Sequence, residues 1–566
     1  MSACGPSAPP QVFGTTTSAG AATAWEPGDA DGESSGDGVD GDGGAPGACA
    51  CTPGEPVQCA SSTLVEICAA DCHGSVKQAC GPLQACIDDA CRDHDAACDP
   101  GETICDEGGV RQCAADGTGY GDPVACEGGD DCAAGACMSP CDAAAAVPSS
   151  QGCSFFAMKM DTYYAGGSDG LVVANPSQEH AAHVQVWEAD DEGVELAVGD
   201  PRELSPGEST TFLMNTTPLE STSAVRRGES FCVSSDRPVV AYQHAPASGI
   251  ASNDGSALLP EHSLGTEYVV ASYPGTTHWP GHLAYFDVIA ANDGTTVSWT
   301  PPVPTEAADG VPAAAANATE SVQLDRYGTL QVAAAFGDDL TGTIVEADGP
   351  VWVVGASACA AVPQDSGTCD HIQEQMIPLA QWGTTAVAAH APARDGESYY
   401  WRVLAGADGV SVTTTPDQLG AATSLDRGEW VEIVATESFV VRGDGPILAV
   451  QYLESQDEGS GRGDPSMIQA APVEQFLREY TYATPNGYDD HYTQVVRPLG
   501  GAEVTIDGDA INDFVPVGMF EVADLNVAEG PHRVRSSDAF GLTAFGYNTY
   551  ASYGYSAGQG LEVLSP

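Results

Sequence analysis

From Gly152 onward the chain alternates short apolar runs with turn residues, and one phrase recurs. Asp236-Arg237-Pro238-Val239-Val240-Ala241-Tyr242-Gln243 returns as Asp348-Gly349-Pro350-Val351-Trp352-Val353-Val354. It returns again as Asp444-Gly445-Pro446-Ile447-Leu448-Ala449-Val450-Gln451-Tyr452. A weaker fourth copy runs from Ser536-Ser537-Asp538 to Ala544-Phe545-Gly546-Tyr547. Each reads as a turn feeding a short, β-branched, buried strand. The aspartates lie 112, 96 and 94 residues apart, so about 400 residues are built from one unit used four times.

Other strands fill in the unit. Leu171-Val172-Val173-Ala174 and Val184-Gln185-Val186-Trp187 are an apolar and an alternating strand separated by a turn. Asp293-Gly294-Thr295-Thr296-Val297 and Asp408-Gly409-Val410-Ser411-Val412 are hairpin signals. The turn Leu204-Ser205-Pro206-Gly207-Glu208 recurs as Leu425-Asp426-Arg427-Gly428-Glu429. After each of the first three copies a polar loop leads to a second shared phrase, such as Ser256-Ala257-Leu258-Leu259-Pro260 or Gln375-Met376-Ile377-Pro378-Leu379. No stretch longer than a turn or two shows helical period. The fold class is therefore all-β, with units that fit a β-sandwich or, alternatively, pairs of propeller blades.

Ahead of this region the pattern changes twice. Residues 1–48 are rich in Gly, Ala, Ser, Pro and Asp without apolar periodicity, and read as an extended linker. At its start, Met1-Ser2-Ala3-Cys4-Gly5 looks like the end of a lipobox, although no apolar stretch precedes it. Acylation of Cys4 would tie the protein to a membrane face without spanning it. Within the linker, Gly36-Asp37-Gly38-Val39-Asp40-Gly41 copies a dinucleotide fingerprint, but no strand precedes it and its aspartates repel a pyrophosphate.

Residues 49–141 form a cysteine-rich double repeat. Cys51, Cys59, Cys68, Cys80, Cys86 and Cys91 are followed, about 47 residues on, by Cys98, Cys105, Cys113, Cys126, Cys132 and Cys137 at nearly the same gaps. Aliphatic residues are sparse there, so each unit needs staples in place of a core. Three disulfides per unit are expected, with fifteen connectivities left open by the spacing. Zinc is disfavoured, because only His73 and His94 are near and no paired knuckle is present. Cys49 with Cys72 and Cys141 with Cys153 are pairs to expect. Cys232 has no evident partner, unless it displaces Cys141 from Cys153. Cys359 and Cys369 bracket a short loop and are expected to close it.

The totals narrow the class. Twenty cysteines, sixteen of them between Cys49 and Cys153, point to an oxidising compartment. With 80 acidic and 18 basic residues the net charge is −62, a field that repels nucleic acid and anionic lipid. No apolar run of 18 residues is present. No cofactor is expected, and the carboxylate excess leaves room only for calcium bridging.

Motif matches fail on context. Gly554-Tyr555-Ser556-Ala557-Gly558 copies a hydrolase elbow, but no His or Asp follows it. Arg442-Gly443-Asp444 and Arg462-Gly463-Asp464 read as turns. Asp370, His371 and Glu374 read as a packed, hydrogen-bonded loop, with residues 371 and 374 on opposite faces if the segment is a strand.

Several phrases carry a family resemblance. Val239-Val240-Ala241-Tyr242-Gln243, Asn253-Asp254-Gly255-Ser256-Ala257-Leu258-Leu259-Pro260, Cys369-Asp370-His371-Ile372-Gln373-Glu374-Gln375, and Gln451-Tyr452-Leu453 with Asp464-Pro465-Ser466-Met467 resemble the IgGFc-binding protein N-terminal domain family. The resemblance covers residues 152–566. The cysteine-rich segment is similar to modules of myxobacterial-type surface proteins. The family's animal members are secreted, mucus-associated binders of immunoglobulin Fc and mucins, so the resemblance implies an extracellular binding module. Gly-Asp-Pro-His, which carries the crosslinking chemistry of those animal proteins, does not occur in this sequence.

These readings predict a non-enzymatic binding or adhesion protein of the cell envelope, anchored by lipid at Cys4 and presenting a loop-tipped all-β head. Its partner would be a surface protein, glycoprotein or polysaccharide, and not nucleic acid. A self-associating surface-layer or matrix component is the alternative, ahead of a polysaccharide-cleaving enzyme with paired carboxylates.

Overall fold

The computed structural model describes residues 101–564 apart from 107, 115–118, 164–166, 215–221, 248–251, 309, 395 and 459–460. It also describes Cys98 and the backbone of the strands between Pro56 and Asp93. Cys4 and the first linker lie outside the described residues. Two compact bodies are present, one ending at Ser139 and one starting at Pro140.

The first body is held by sulfur. Thr103–Asp106, Gly109–Gln112 and Val124–Ala125 form a small sheet, and Asp131–Ala133 pairs with Ala136–Met138. Cys98 bonds Cys113, Cys105 bonds Cys132, and Cys126 bonds Cys137. Among the described side chains of this body only Cys98, Cys113 and Ala133 are buried and apolar. With so little core, the crosslinks carry the fold. The strands Pro56–Ser61, Leu64–Cys68 and Ser75–Ala79, followed by the pair Gln84–Ile87 and Ala90–Asp93, give the first repeat the same order of elements. Cys51, Cys59, Cys68, Cys80, Cys86 and Cys91 have side chains outside the described residues.

The second body opens on a two-turn helix, Pro140–Ala146, with Pro at its first position and Asp142 in its first turn. The Cys141–Cys153 disulfide ties that helix to the first strand of the head. Cys232 is disulfide-bonded too, so it does not compete for Cys153.

The head is all-β, and the same strand order occurs four times. In each unit a long strand is the pivot: Ser230–Ala245, Ile344–Ala360, the broken pair Phe439–Gly443 and Ile447–Tyr452, and Gly530–Asn548. Its first half pairs with one set of strands and its second half with another, and a short strand follows and pairs with its end. The ladders are antiparallel.

The recurring Asp-Gly-Pro phrase is the corner where this long strand changes partners, and only in the third unit does it break the strand. This corrects its reading as a simple turn. A strand that leaves one set of partners for another loses a ladder bond at the corner. Pro has no N–H to lose, and the Asp carboxylate takes the N–H left over on the neighbouring strand. Asp236 accepts from His183 N at 2.8 Å, Asp348 from Thr296 N at 2.7 Å, Asp444 from Ser411 N at 2.7 Å, and Asp538 from Ala502 N at 3.1 Å. The weak fourth copy, which lacks Gly and Pro, keeps this bond.

Beyond the corner the long strand is buried on both faces. Val351 to Ala360 shows no alternation, because one face fills its own sandwich and the other packs on the next unit. Four apolar interfaces result. Phe156 and Met158 meet Tyr285, Ile289 and Trp352 between the first and second units. Met376, Ile377 and Trp382 of the second unit share a core with Leu404, Leu448 and Tyr452 of the third. Val387 and Val440 meet Val496, Phe520 and Val522 between the third and fourth. Val172 and Tyr242 of the first meet Tyr480, Tyr553 and Tyr555 of the fourth. The units therefore close into a ring. Closure is completed where Ser150 N donates to Gln559 O at 3.0 Å and Leu561 N to Pro148 O at 3.2 Å, joining the start of the head to its end.

The corner aspartates make a testable case. Each hydrogen bond is exposed and contributes about 1 kcal/mol. Alanine at one of Asp236, Asp348, Asp444 or Asp538 should lower the denaturation free energy by about that much. All four together should cost about 4 kcal/mol, because distant sites add. Asparagine, which keeps an acceptor, should retain most of the stability. Unchanged urea midpoints in the alanine series would remove the role assigned to these residues.

Candidate functional site

The short strands that follow the long ones, Asp254–Ala257, Asp370–Gln375, Met467–Gln469 and Ala551–Ser556, come together at the centre of the ring. Asp370, His371 and Glu374 thus sit on a buried strand and not on a loop, because Val354–Ala360 supplies a free edge for them. Their segment is polar because each strand end must be satisfied by a neighbouring unit.

Asp254 is the hub. Its carboxylate accepts from Gly255 N at 2.8 Å, Ser466 Oγ at 2.6 Å, Met467 N at 3.0 Å and Gln373 N at 3.1 Å, so one side chain binds three units together. Glu374 accepts from Ser256 Oγ at 2.7 Å, and Gln469 Nε2 donates to Gln375 O at 2.7 Å. The fourth unit completes the centre with aromatic rings, Tyr555 stacked on Tyr242 at 4.7 Å and on Tyr553 at 5.2 Å. Burial pushes the carboxyls of Asp254, Asp370 and Glu374 well above the usual range, while the donors around Asp254 hold it back. Burial likewise pushes the His371 imidazole down to about 4. This centre is closed to solvent, so it positions a site without being one.

The site is above it, at the end of the ring where the loops between strands gather. A funnel of about 220 Å³ is lined by Ser252, Cys369, Asp464 and Tyr550, the residues that lead into the four central strands, together with Tyr163, Trp279 and Thr368. All four units contribute. Ser252, Cys369 and Asp464 are buried and form the floor. Tyr163, Trp279 and Tyr550 are exposed by 38%, 44% and 44% and form the rim, in a molecule whose other large aromatic rings are mostly enclosed.

The floor is cross-braced. Asp464 Oδ1 accepts from Gln456 N at 3.0 Å and from Thr368 Oγ1 at 3.2 Å, and Asp464 N donates to Ser552 Oγ at 2.9 Å. The Cys359–Cys369 disulfide closes the loop that carries Thr368. The loop bearing Trp279 is fixed at its base, where Thr276 N donates to Cys359 O at 2.8 Å. Tyr163 N donates to Ala358 O at 3.1 Å. Tyr550 sits at a hairpin tip with φ of 56°, a conformation that favours Gly or Asn. A ring held at that cost of strain, and exposed, is a mark of use.

Other candidates resolve into structure. Ser556 Oγ of the elbow-like motif donates to Gly558 O at 2.9 Å inside the fold. Arg462 pairs with Asp490 at 2.7 Å, while Asp464 turns into the funnel, so the second Arg-Gly-Asp is not presented as a tripeptide. A larger cleft of about 530 Å³, lined by Arg226, Arg227 and Arg326, has two of its cations in ion pairs: Arg326 with Glu261 at 2.8 Å and Arg226 with Glu229 at 3.3 Å. Arg402 is similarly committed, stacked on Tyr273, Trp430 and Tyr452 between the second and third units. Among the described residues no group of three His, Cys, Asp or Glu side chains could hold a metal ion.

The sequence reading missed the rim. Its one available signal was a tryptophan in the loop Tyr273-Pro274-Gly275-Thr276-Thr277-His278-Trp279-Pro280-Gly281-His282, where no strand pattern calls for a large ring.

The buried acids set a pH dependence. Burial raises Asp169 and Asp464 to about 7 from an unfolded value near 4. A carboxyl whose folded pKa is raised binds more protons folded than unfolded, so its stabilisation is complete below the unfolded value and is lost as pH rises through the folded one. The contribution of Asp169 and Asp464 should therefore be lost between about pH 4 and about pH 7, against the opposite contribution of the histidines that burial holds low. Asp464→Asn should flatten that loss, since Oδ2 has no partner for an amide to displace. A variant whose melting temperature tracks the parent's at every pH across this interval would contradict the assignment.

Comparison with known proteins places the architecture. The family model described as IgGFc binding protein matches residues 254–546, from the first central strand to the last long strand. The human protein named IgGFc-binding protein is 27% identical over 325 residues, which is 55% of this chain and 6% of that protein. This chain thus spans a small part of that relative's length. A solved structure of a mutant major pilin from Streptococcus pyogenes is 9% identical, aligned over 51% of this chain and 99% of the pilin, with a TM-score of 0.12 that carries no argument. The match to more than half of the chain, which takes in the second and third units and most of the fourth, makes this chain a member of the IgGFc-binding protein family.

Proposed function

We propose that the head is an extracellular binding module without catalytic activity, and that it takes its ligand at the loop end of the ring. The observation that carries this reading is the convergence of all four units on one funnel with exposed aromatic rings over a braced floor. Rigid sheets that present loops at one end are a common design for recognition. The carboxyls gathered at the ring centre, Asp254, Asp370 and Glu374, are buried away from any substrate, which disfavours an enzyme there. The disulfides support an oxidising compartment. Acylation of Cys4 would hold it at a cell surface, with the acidic linker as tether.

The partner class is a surface protein, glycoprotein or polysaccharide, and the human relative's name adds immunoglobulin Fc to the panel. A second reading, self-association, is favoured by one apolar patch on the fourth unit, where Leu499, Val515 and Met519 are exposed by 54%, 64% and 54%. The oxidised full chain, presented to arrays of polysaccharides, mucins and immunoglobulin Fc, should bind one class saturably. Trp279→Ala with Tyr550→Asn should abolish that binding without lowering the melting temperature. Silence across the array, with concentration-dependent assembly in sedimentation, would overturn the first reading in favour of the second.

A further inference from the structure

We infer that the axial funnel is a cage for an alkylammonium group, of the kind carried by a lysine side chain or a choline headgroup. The inference rests on the loop end being the binding face and names the chemistry it recognises.

The funnel combines three features. Its rim has three aromatic side chains, Tyr163, Trp279 and Tyr550, from three different units. Aromatic faces carry negative charge density and attract cations, most strongly where water is excluded. Its floor has a carboxyl, Asp464, that is 2% exposed. Both hydrogen bonds to that carboxyl go to Oδ1, from Gln456 N and Thr368 Oγ1. Oδ2 takes none, and it is not among the enclosed side-chain atoms left without a partner, so it opens into the funnel.

The surroundings also select for positive charge. Arg394 favours the charged form of Asp464, while Asp457 opposes it, and Asp370 is close enough to feel the Asp464 charge. Arg394 is itself consumed by Glu397 and stacks on Tyr547. Around this the whole chain carries a net charge of −62, which concentrates cations at its surface and repels sulfated or sialylated groups. A neutral sugar ring could stack on the same aromatic rings, but it would gain nothing from that field. Asp464, raised by burial to about 7, would be drawn down by a bound cation, so binding releases a proton and strengthens as pH rises. The funnel volume suits a single headgroup and not a chain.

The test is calorimetric titration of the full chain with tetramethylammonium and with Nα-acetyl-lysine methylamide, using neopentyl alcohol and a methyl glycoside as neutral probes. Saturable binding of the cations but not of the neutral probes is expected. Trp279→Ala and Asp464→Asn should each weaken it about tenfold, the scale of one desolvated cation–π contact. Affinity should fall as pH drops below about 7. Trp279 is exposed, so Trp279→Ala should melt like the parent, and Asp464→Asn, which keeps the Oδ1 acceptor, should melt like it at about pH 5, where Asp464 carries its proton, and no lower than it above that. Phosphatidylcholine vesicles and a lysine-rich peptide then separate the two sources of the group. Absence of saturable binding by both cations overturns the cage, as does binding unchanged in both variants or matched by the glycoside. Array binding to a macromolecule that survives such a result would leave the loop-end reading standing without the cage.

Discussion

A buried carboxylate that no single unit can satisfy is the constraint on which the head depends. Asp254 is fully enclosed, and leaving its oxygens unpaired in that setting would cost several kcal/mol. Its donors come from its own neighbour Gly255, from Gln373 of the second unit, and from Ser466 and Met467 of the third. The central strands are therefore not separable parts. Each polar strand end finds its partner only when the others are in place, and the aromatic rings of the fourth unit fill what remains. Register among the units follows from the same bonds.

The outer side of the ring obeys the same logic by other means. Every long strand buries both faces in its second half, so a unit standing alone would expose one of them to water. Three short Pro-led turns at the far end link the units. Gln381 Nε2 donates to Ser263 O at 2.8 Å and Gln475 Nε2 donates to Gln381 O at 3.0 Å, which hands one unit to the next. Some of the scarce arginines act as inter-unit clamps: Arg326, Arg394 and Arg402 each pair with carboxylates and aromatic rings at unit boundaries. Few cations are then left to face an anionic partner.

The repeat was legible because the corner aspartate and the apolar run after it are local, and local chemistry repeats with the unit. What the corner does was not legible, since a turn and a strand changing partners both call for Asp, Gly and Pro. Closure into a ring could not be read either, because the bonds that close it, such as Ser150 with Gln559, join residues more than 400 positions apart. The residues Asp370, His371 and Glu374 were legible as packed and hydrogen-bonded, but not as a strand, because the edge they pair with belongs to residues 354–360. The funnel failed to stand out because, Trp279 apart, its lining residues look like ordinary loop residues. Only the convergence of four chain segments makes Trp279, Tyr550 and Asp464 one surface.

The account holds that the four units form one cooperative body around the Asp254 hub. Amide hydrogen exchange of the oxidised protein tests this most directly. The N–H groups of Gln373 and Met467, and those of the long strands in all four units, should exchange only through global unfolding and with one common free energy. If residues 477–564 exchanged at a clearly lower free energy than the other three units, the fourth unit would open alone. The head would then be a string of independent sandwiches, and the ring would not be the functional unit.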